Sequence, residues 1–273
     1  MKNKFDIAGG SVIGREHYLR GINNQDAFAL HIGEKMIVTA VSDGCSAQDH
    51  TEVGSKLGVR ILVQSVRRFS AKFLEGNHEE FWKCVKSEML ERVFNIIGLV
   101  SFNQVDQVYD LIYRYFLFTI VGTIITEDRT IVFTFGDGFY SINGIDTIID
   151  LQDTKIPMYT VAGWNVDEIN FTVRENIKTD DLETILLATD GIQYLIDSQD
   201  RNIPGKKDLM GSVSQFWEND HYFKNPDNIR RKLALMSRDS HKVIVGEMVR
   251  EQGLLADDTT LMVLRRKKDA SLS

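Results

Sequence analysis

Three apolar stretches of this chain run into the same pair of residues. Met36-Ile-Val-Thr-Ala-Val-Ser leads into Asp43-Gly44, Ile131-Val-Phe-Thr-Phe-Gly into Asp137-Gly138, and Ile185-Leu-Leu-Ala-Thr into Asp190-Gly191. Each is short, apolar and rich in β-branched or aromatic residues, which reads as a buried strand. A single Asp-Gly is ordinary turn chemistry. Three buried strands that each deliver one are a stronger constraint, because carboxylates at strand ends converge when the strands share an edge. Two more acidic positions fit this pattern: Asp26 precedes the strand Ala27–Ile32, and Asp257-Asp258 precede the strand Thr259–Leu264. Clustered carboxylates repel one another and rise in pKa unless a cation neutralises them. Oxygen-only ligands favour Mg²⁺ or Mn²⁺, and the following glycines leave room for a backbone carbonyl to join them. Two such ions a few ångströms apart clamp a phosphoryl group and activate water.

The remaining segments supply the frame. Short strands are expected over Phe5–Ser11, Ala27–Ile32 and Met36–Ser42. A helix is expected over Val53–Leu74, with apolar residues near a 3.6-residue period and a capping-box-like start at Asp49-His50-Thr51-Glu52. Helices over Phe81–Leu99 and Val105–Phe116 follow, then strands over Phe118–Thr126 and Thr130–Phe135. Asn143-Gly144 marks a hairpin between 140–142 and 147–149. Strands are expected over Glu168–Val173, Thr184–Ala188 and Thr259–Leu264, with a helix over Asn228–Met236. Strands, helices, strands and a helix in that order describe an α+β chain with a mostly antiparallel sheet system. One domain over 1–273 is expected, with 197–225 a flap-like excursion and 266–273 a tail.

Composition narrows the partners. The chain has 39 acidic residues against 32 Lys+Arg, a net charge of −7, and 43% hydrophobic residues. It can bury a core, and it lacks the basic face that phosphate-backbone binding requires, so no nucleic acid is expected. The basic run Arg265-Arg266-Lys267-Lys268 reads as part of a solvated end. No secretory signal and no stretch of about 18 apolar residues occurs, so no membrane contact is expected. Cys45 and Cys84 have neither metal spacing nor a disulfide framework, and a cytoplasmic location follows as an expectation.

The ordered set Asn24-Gln25-Asp26-Ala27, Ser42-Asp43-Gly44, Val121-Gly122-Thr123, Gly136-Asp137-Gly138, Ala188-Thr189-Asp190-Gly191 and Asp257-Asp258-Thr259-Thr260 resembles the metal-dependent type 2C protein phosphatases, closest to their compact bacterial branch. The resemblance implies a four-layer αββα sandwich: two antiparallel sheets face to face, with helices on both outer faces. It implies two Mg²⁺ or Mn²⁺ ions, with a third, weaker site in some members. Asp43 would bridge both metals, the Gly44 carbonyl would bind the second, and Asp190 and Asp257 would hold the first. Asp26 would act directly or through water, and Asp137 would join Asp190 at the third site. Asp43 and Asp190 carry the catalysis on this reading, with a metal-bridging water attacking phosphorus in line. Asp258 stands where Asn is common and is expected to hydrogen-bond rather than ligate.

The departures are informative. Gln25 stands where many members have Glu, and a neutral amide binds such metals less strongly. Cys45 replaces the histidine proposed as general acid, and with no basic neighbour it reads as a small loop residue. Arg20 lies one residue further from the first motif than the family's phosphate-binding Arg, and His17 is an alternative to it. The implied activity is hydrolysis of phosphoserine and phosphothreonine in protein substrates. The competing readings are a pseudophosphatase kept as a binding scaffold and a hydrolase of another phosphate ester. No Walker loop or dinucleotide fingerprint is present.

Overall fold

The computed structural model describes residues 1, 3–48, 50–101, 104–150, 170–244 and 247–267. Its centre is two five-stranded sheets. The first runs β1 (Phe5–Val12), β12 (Thr259–Arg266), β9 (Thr184–Ala188), β6 (Gly138–Ile142), β7 (Ile145–Ile149). The second runs β2 (Ala27–Ile32), β3 (Met36–Ser42), β4 (Ile120–Thr126), β5 (Arg129–Phe135), β8 (Thr172–Lys178). Every neighbouring pair is antiparallel.

Strand alternation explains why the apolar runs carry no polar face. On β3, Ile37 and Val41 pack between the sheets with Val121, Leu187, Met262 and Leu264. Val38 and Ala40, one residue out of phase, face the helical layer instead. That layer is α2 (Glu52–Arg68), α3 (Ser70–Leu74), α4 (His78–Ser101) and α5 (Val105–Tyr115), packed through Leu62, Val66, Phe81 and Met89. The other sheet is covered by α6 (Ile192–Asp197), α7 (Gln215–Glu218), α8 (His221–Lys224) and α9 (Asn228–Ser237), through Leu195, Phe216, Ile229 and Leu233. The layers are therefore helix, sheet, sheet, helix, as the resemblance implied.

Several sequence expectations need correction. The helix expected over Val53–Leu74 breaks at Phe69 into α2 and α3. The capping-box-like start expected at Asp49-His50-Thr51-Glu52 rests on Asp49, which lies outside the described residues; the helix begins at Glu52, and the Thr51 hydroxyl donates to the Cys45 carbonyl. The strand expected at Glu168–Val173 starts later, at Thr172, while 168 and 169 lie outside the described residues. As an edge strand with a polar face, β8 gives little hydrophobic signal.

The basic run is not a free end at its start. Arg265 lies in β12, within 3.1 Å of Asp6 and 2.8 Å of Asp220, with its guanidinium 4.4 Å from the Phe223 ring centroid. Arg266, expected to open the tail, still belongs to β12, and its Nε donates to the Leu182 carbonyl at 2.8 Å. Pairing with β1 and β9 carries the strand past the apolar residues that mark it in sequence.

The 197–225 stretch is anchored rather than loose. It buries Ile203, Met210, Val213, Phe216 and Tyr222 against the outer face of the first sheet. These apolar residues are spaced singly among polar ones, so no period announced them. Elements not expected from the sequence include the short helices α1 (Arg15–Arg20) and α6, and the hairpin of β10 (Ser240–Ile244) with β11 (Glu247–Glu251).

Candidate metal centre

Asp43 leaves β3, Asp137 sits in the β5–β6 turn, Asp190 follows β9 at the start of α6, and Asp257 precedes β12. Asp26 immediately precedes β2. The local chemistry explains the glycines that follow. A Cβ on Gly191 would stand 1.9 Å from the Asp258 carbonyl oxygen, and Gly138 has φ +140°. Glycine at 191 thus lets the Asp190 turn press against the Asp257–Asp258 loop.

Asp26 and Asp43 form the inner pair, close enough to share a hydrogen bond when one is protonated. Burial, followed by the charge of Asp190, pushes Asp43 well above the usual carboxylate range. Burial, followed by the charge of Asp258, does the same to Asp26. Asp190 opens toward solvent, yet desolvation within the concavity, with Asp257 and Asp137 beside it, raises it to about 7. Asp257 and Asp137 are raised too, in each case chiefly by burial. An outer cleft of about 450 Å³ is lined by Asp137, Asp150, Asp190, Asp197 and Asp257, and no Lys or Arg is among its described lining residues. Tyr194 lies on its wall.

A closed ring of hydrogen bonds orients Asp26. Its Oδ2 accepts from the Thr189 hydroxyl (2.7 Å), and its amide donates to Asn24 Oδ1 (2.9 Å). Asn24 Nδ2 donates to Ser11 Oγ (2.8 Å), which also accepts from the Thr260 hydroxyl (2.6 Å). The Thr260 amide returns to Thr189 Oγ1 (3.0 Å). The other carboxylate oxygen, Oδ1, is buried with no partner among the described residues. Buried carboxylate oxygens are rarely left so, and this one is available to a cation. The oxygen-only donor set fits a hard divalent metal.

Asp258 has a different task. Its Oδ1 accepts from the Gly14 amide (2.7 Å) and its Oδ2 from the Gln25 amide (2.5 Å). The buried His17 imidazole lies 2.9 Å from Oδ2, and the Asp258 carboxylate holds the His17 pKa above its ordinary value. His17, Asp257 and Asp258 together offer ligand atoms within 4.8 Å of one another. Both oxygens of Asp258 already serve backbone amides, so the strand-end aspartates make the more available set. Asp258 ties the first motif to the Asp257 loop, and the sequence held no cue to those backbone partners.

Other candidates fall in or out of this constellation. Gln25 is fully buried, its amide nitrogen donating to the Gln48 carbonyl at 2.5 Å and its Oε1 without a partner among the described residues. Gly44 pairs with Phe118 in an isolated bridge, with the Gln25 carbonyl close by. Arg20 is exposed in the last turn of α1 and is not among the cleft-lining residues. Cys45 packs against the helical core. Ser11, Thr189 and Thr260 were missed as positioning groups. Thr189 alone had a cue, since alternation points it away from its neighbour Asp190.

A two-sheet sandwich with helices outside and an aspartate-lined cleft defines a class of protein in which strand ends carry the chemistry. The family model described as Protein phosphatase 2C matches residues 13–234, and the chain belongs to that family. The match stops short of Asp257, which the fold returns to the site through β12. Among solved structures, a bacterial serine phosphatase superposes with a TM-score of 0.56 at 14% identity, covering 97% of this chain and 99% of that one. The serine/threonine phosphatase Stp1 from Staphylococcus aureus gives 0.52 at 13% identity, covering 97% and 96%. At such identities the likeness shows the shared fold. A search among curated proteins returns no match.

Proposed function

We propose that this chain hydrolyses phosphoserine and phosphothreonine in protein substrates, using two Mg²⁺ or Mn²⁺ ions held by Asp26, Asp43, Asp190, Asp257 and the Gly44 carbonyl. The observation that carries the proposal is the inner pair, Asp26 against Asp43, electrostatically coupled to Asp190 with one buried carboxylate oxygen unpartnered. Bound there, the ions would supply positive charge to the phosphoryl oxygens and an acidified water for in-line attack. Asp43, which lies within the fields of Asp190, Asp26 and Asp257, would be the central ligand. The ring through Thr189 and Asn24 holds Asp26 in one orientation, and Asp258 with His17 holds the Asp257 loop. Asp137 and Asp190 share the outer cleft and would be the ligands of a third, weaker ion.

The cleft is open enough for a phosphorylated side chain, and its acidic wall repels a phosphate dianion unless cations are bound. Cys45 packs half-buried against the helical core and is not read as a replacement for the missing histidine, so leaving-group protonation falls to water or another side chain. Poor leaving groups suffer most from that loss. The protein is read as one cytoplasmic domain. Among the described residues no helix is long and apolar enough to cross a membrane.

The test is Mn²⁺-dependent turnover of p-nitrophenyl phosphate and of a phosphothreonine peptide by wild type, Asp43→Asn and Asp190→Asn. Metal-dependent turnover that both substitutions abolish is the expected result. Absence of metal-dependent turnover in wild type, or full activity in both variants, overturns the reading.

A further inference from the structure

A second concavity, larger than the acidic cleft, opens between β1, α1, α9 and the start of β10, with a volume of about 810 Å³. Its walls carry Arg15, Arg230 and Arg238 against a single acid, Asp239. That acid is already engaged, by Arg250 and by the Gly253 amide at 2.8 Å. Arg230 is also engaged, held by both oxygens of Asp227 at 2.6 and 3.0 Å.

The other two arginines are under-used. Arg15 is only 17% exposed, and one terminal nitrogen lies 2.5 Å from Glu16. Its Nε is buried with no acceptor among the described residues. Arg238 is exposed at the rim and has neither an ion pair nor a side-chain hydrogen bond among the described residues. Buried donors of a charged group are almost always satisfied, so the Arg15 guanidinium is short of acceptors, and its exposed part faces the cavity. The rest of the surface is mixed, with Tyr18, Leu19 and Ala234 offering apolar area.

We propose that this cavity binds a small organic anion, a carboxylate- or phosphate-bearing molecule with an apolar body. The anionic head engages Arg15 and Arg238, and the body rests on Leu19 and Ala234. The volume lies in the range of small-molecule sites, about 300–1,000 Å³. Charge complementarity favours an anion, because a chain of net charge −7 gathers three arginines here. The proposal stands on this cavity alone and does not require the phosphatase reading.

The probe is anilinonaphthalene sulfonate, an aromatic organic anion, titrated by fluorescence into the full chain. One saturable site is expected in wild type. Arg238→Glu reverses the rim charge and Ala234→Trp fills the floor, and each weakens binding by about tenfold. Asp43→Asn, in the separate acidic cleft, leaves the affinity unchanged. Equal affinity in wild type and Arg238→Glu overturns the proposal even if Ala234→Trp does not fold, because Arg238 is exposed. Loss of binding in Asp43→Asn overturns it too, by placing the probe at the acidic site. Displacement by citrate or pyrophosphate supports a small anion. Displacement by an oligoglutamate peptide alone assigns the surface to an acidic protein segment and overturns the small-molecule claim.

Discussion

The acidic cleft and the arginine-walled cavity have opposite character in one small domain. The cleft brings together five carboxylates and no described Lys or Arg, and three of them, Asp137, Asp190 and Asp257, are pushed up in pKa, chiefly by burial and then by neighbouring carboxylates. The cavity sets three arginines against one aspartate, and most of its charges have partners. A net charge of −7 is the average of these two environments and describes neither. The difference separates a site strained by like charge, which gains from a bound cation, from one whose unmet need is an acceptor. Ser11 and Asn24 join the two, lining the cavity while belonging to the ring that orients Asp26.

The largest effect that would break this contrast is at its acidic centre. Asp43→Asn is expected to lower Mn²⁺-dependent hydrolysis by about a thousandfold with the circular dichroism spectrum unchanged. Activity near wild type would remove the acidic cluster as the working site. Next comes Gly191→Ala, whose Cβ would meet the Asp258 carbonyl at 1.9 Å. Urea unfolding should show a loss of about 1–3 kcal/mol. Mn²⁺ affinity should fall with it, while anion binding in the cavity persists.

Ser11→Ala removes the acceptor shared by Asn24 and Thr260. Groups that orient metal ligands typically change affinity by about 10–100-fold, and calorimetric Mn²⁺ titration should show a loss near the lower end. An unchanged affinity would mean that the ring is structural and the two regions are independent. The smallest effect is on pH dependence in chelator-treated protein. Asp190 is raised to about 7 in the fold, above its unfolded value, so its contribution to stability is complete at low pH and is lost as pH rises through about 7. The melting temperature should fall between about pH 5 and pH 8, less so in Asp190→Asn, and Mn²⁺ should oppose the fall.

Much of the sheet system was legible, for a local reason. Buried strands announce themselves by unbroken β-branched runs, and β3, β5 and β9 appear where Met36–Ser42, Thr130–Phe135 and Thr184–Ala188 placed them, within a residue. The turn at Asn143-Gly144 was equally local, and Asn143 adopts φ 52° there. Elements lacking an apolar period escaped, α1 and the β10–β11 hairpin among them, and the polar edge strand β8 was expected several residues too early. The 197–225 stretch escaped in another way. Its anchors Met210 and Phe216 are individually spaced, and only the sheet beneath shows that they belong together.

The site divides along the same line. Sequence alone determined which aspartates end strands, their order along the chain and their likeness to one phosphatase family, because strand patterning and Asp-Gly turns act over a few residues. Tertiary structure decided what those carboxylates experience. Thr189 reaches Asp26 across 163 positions, and Asp258 gathers the amides of Gly14 and Gln25 across 244 and 233. Arg20, one residue off the family spacing, is exposed and not among the residues lining the cleft, and Arg265, read as a solvated end, ends in a strand between Asp6 and Asp220. Desolvation and charge repulsion depend on every group within a few ångströms, and those neighbours are set by the packing of two sheets rather than by position along the chain.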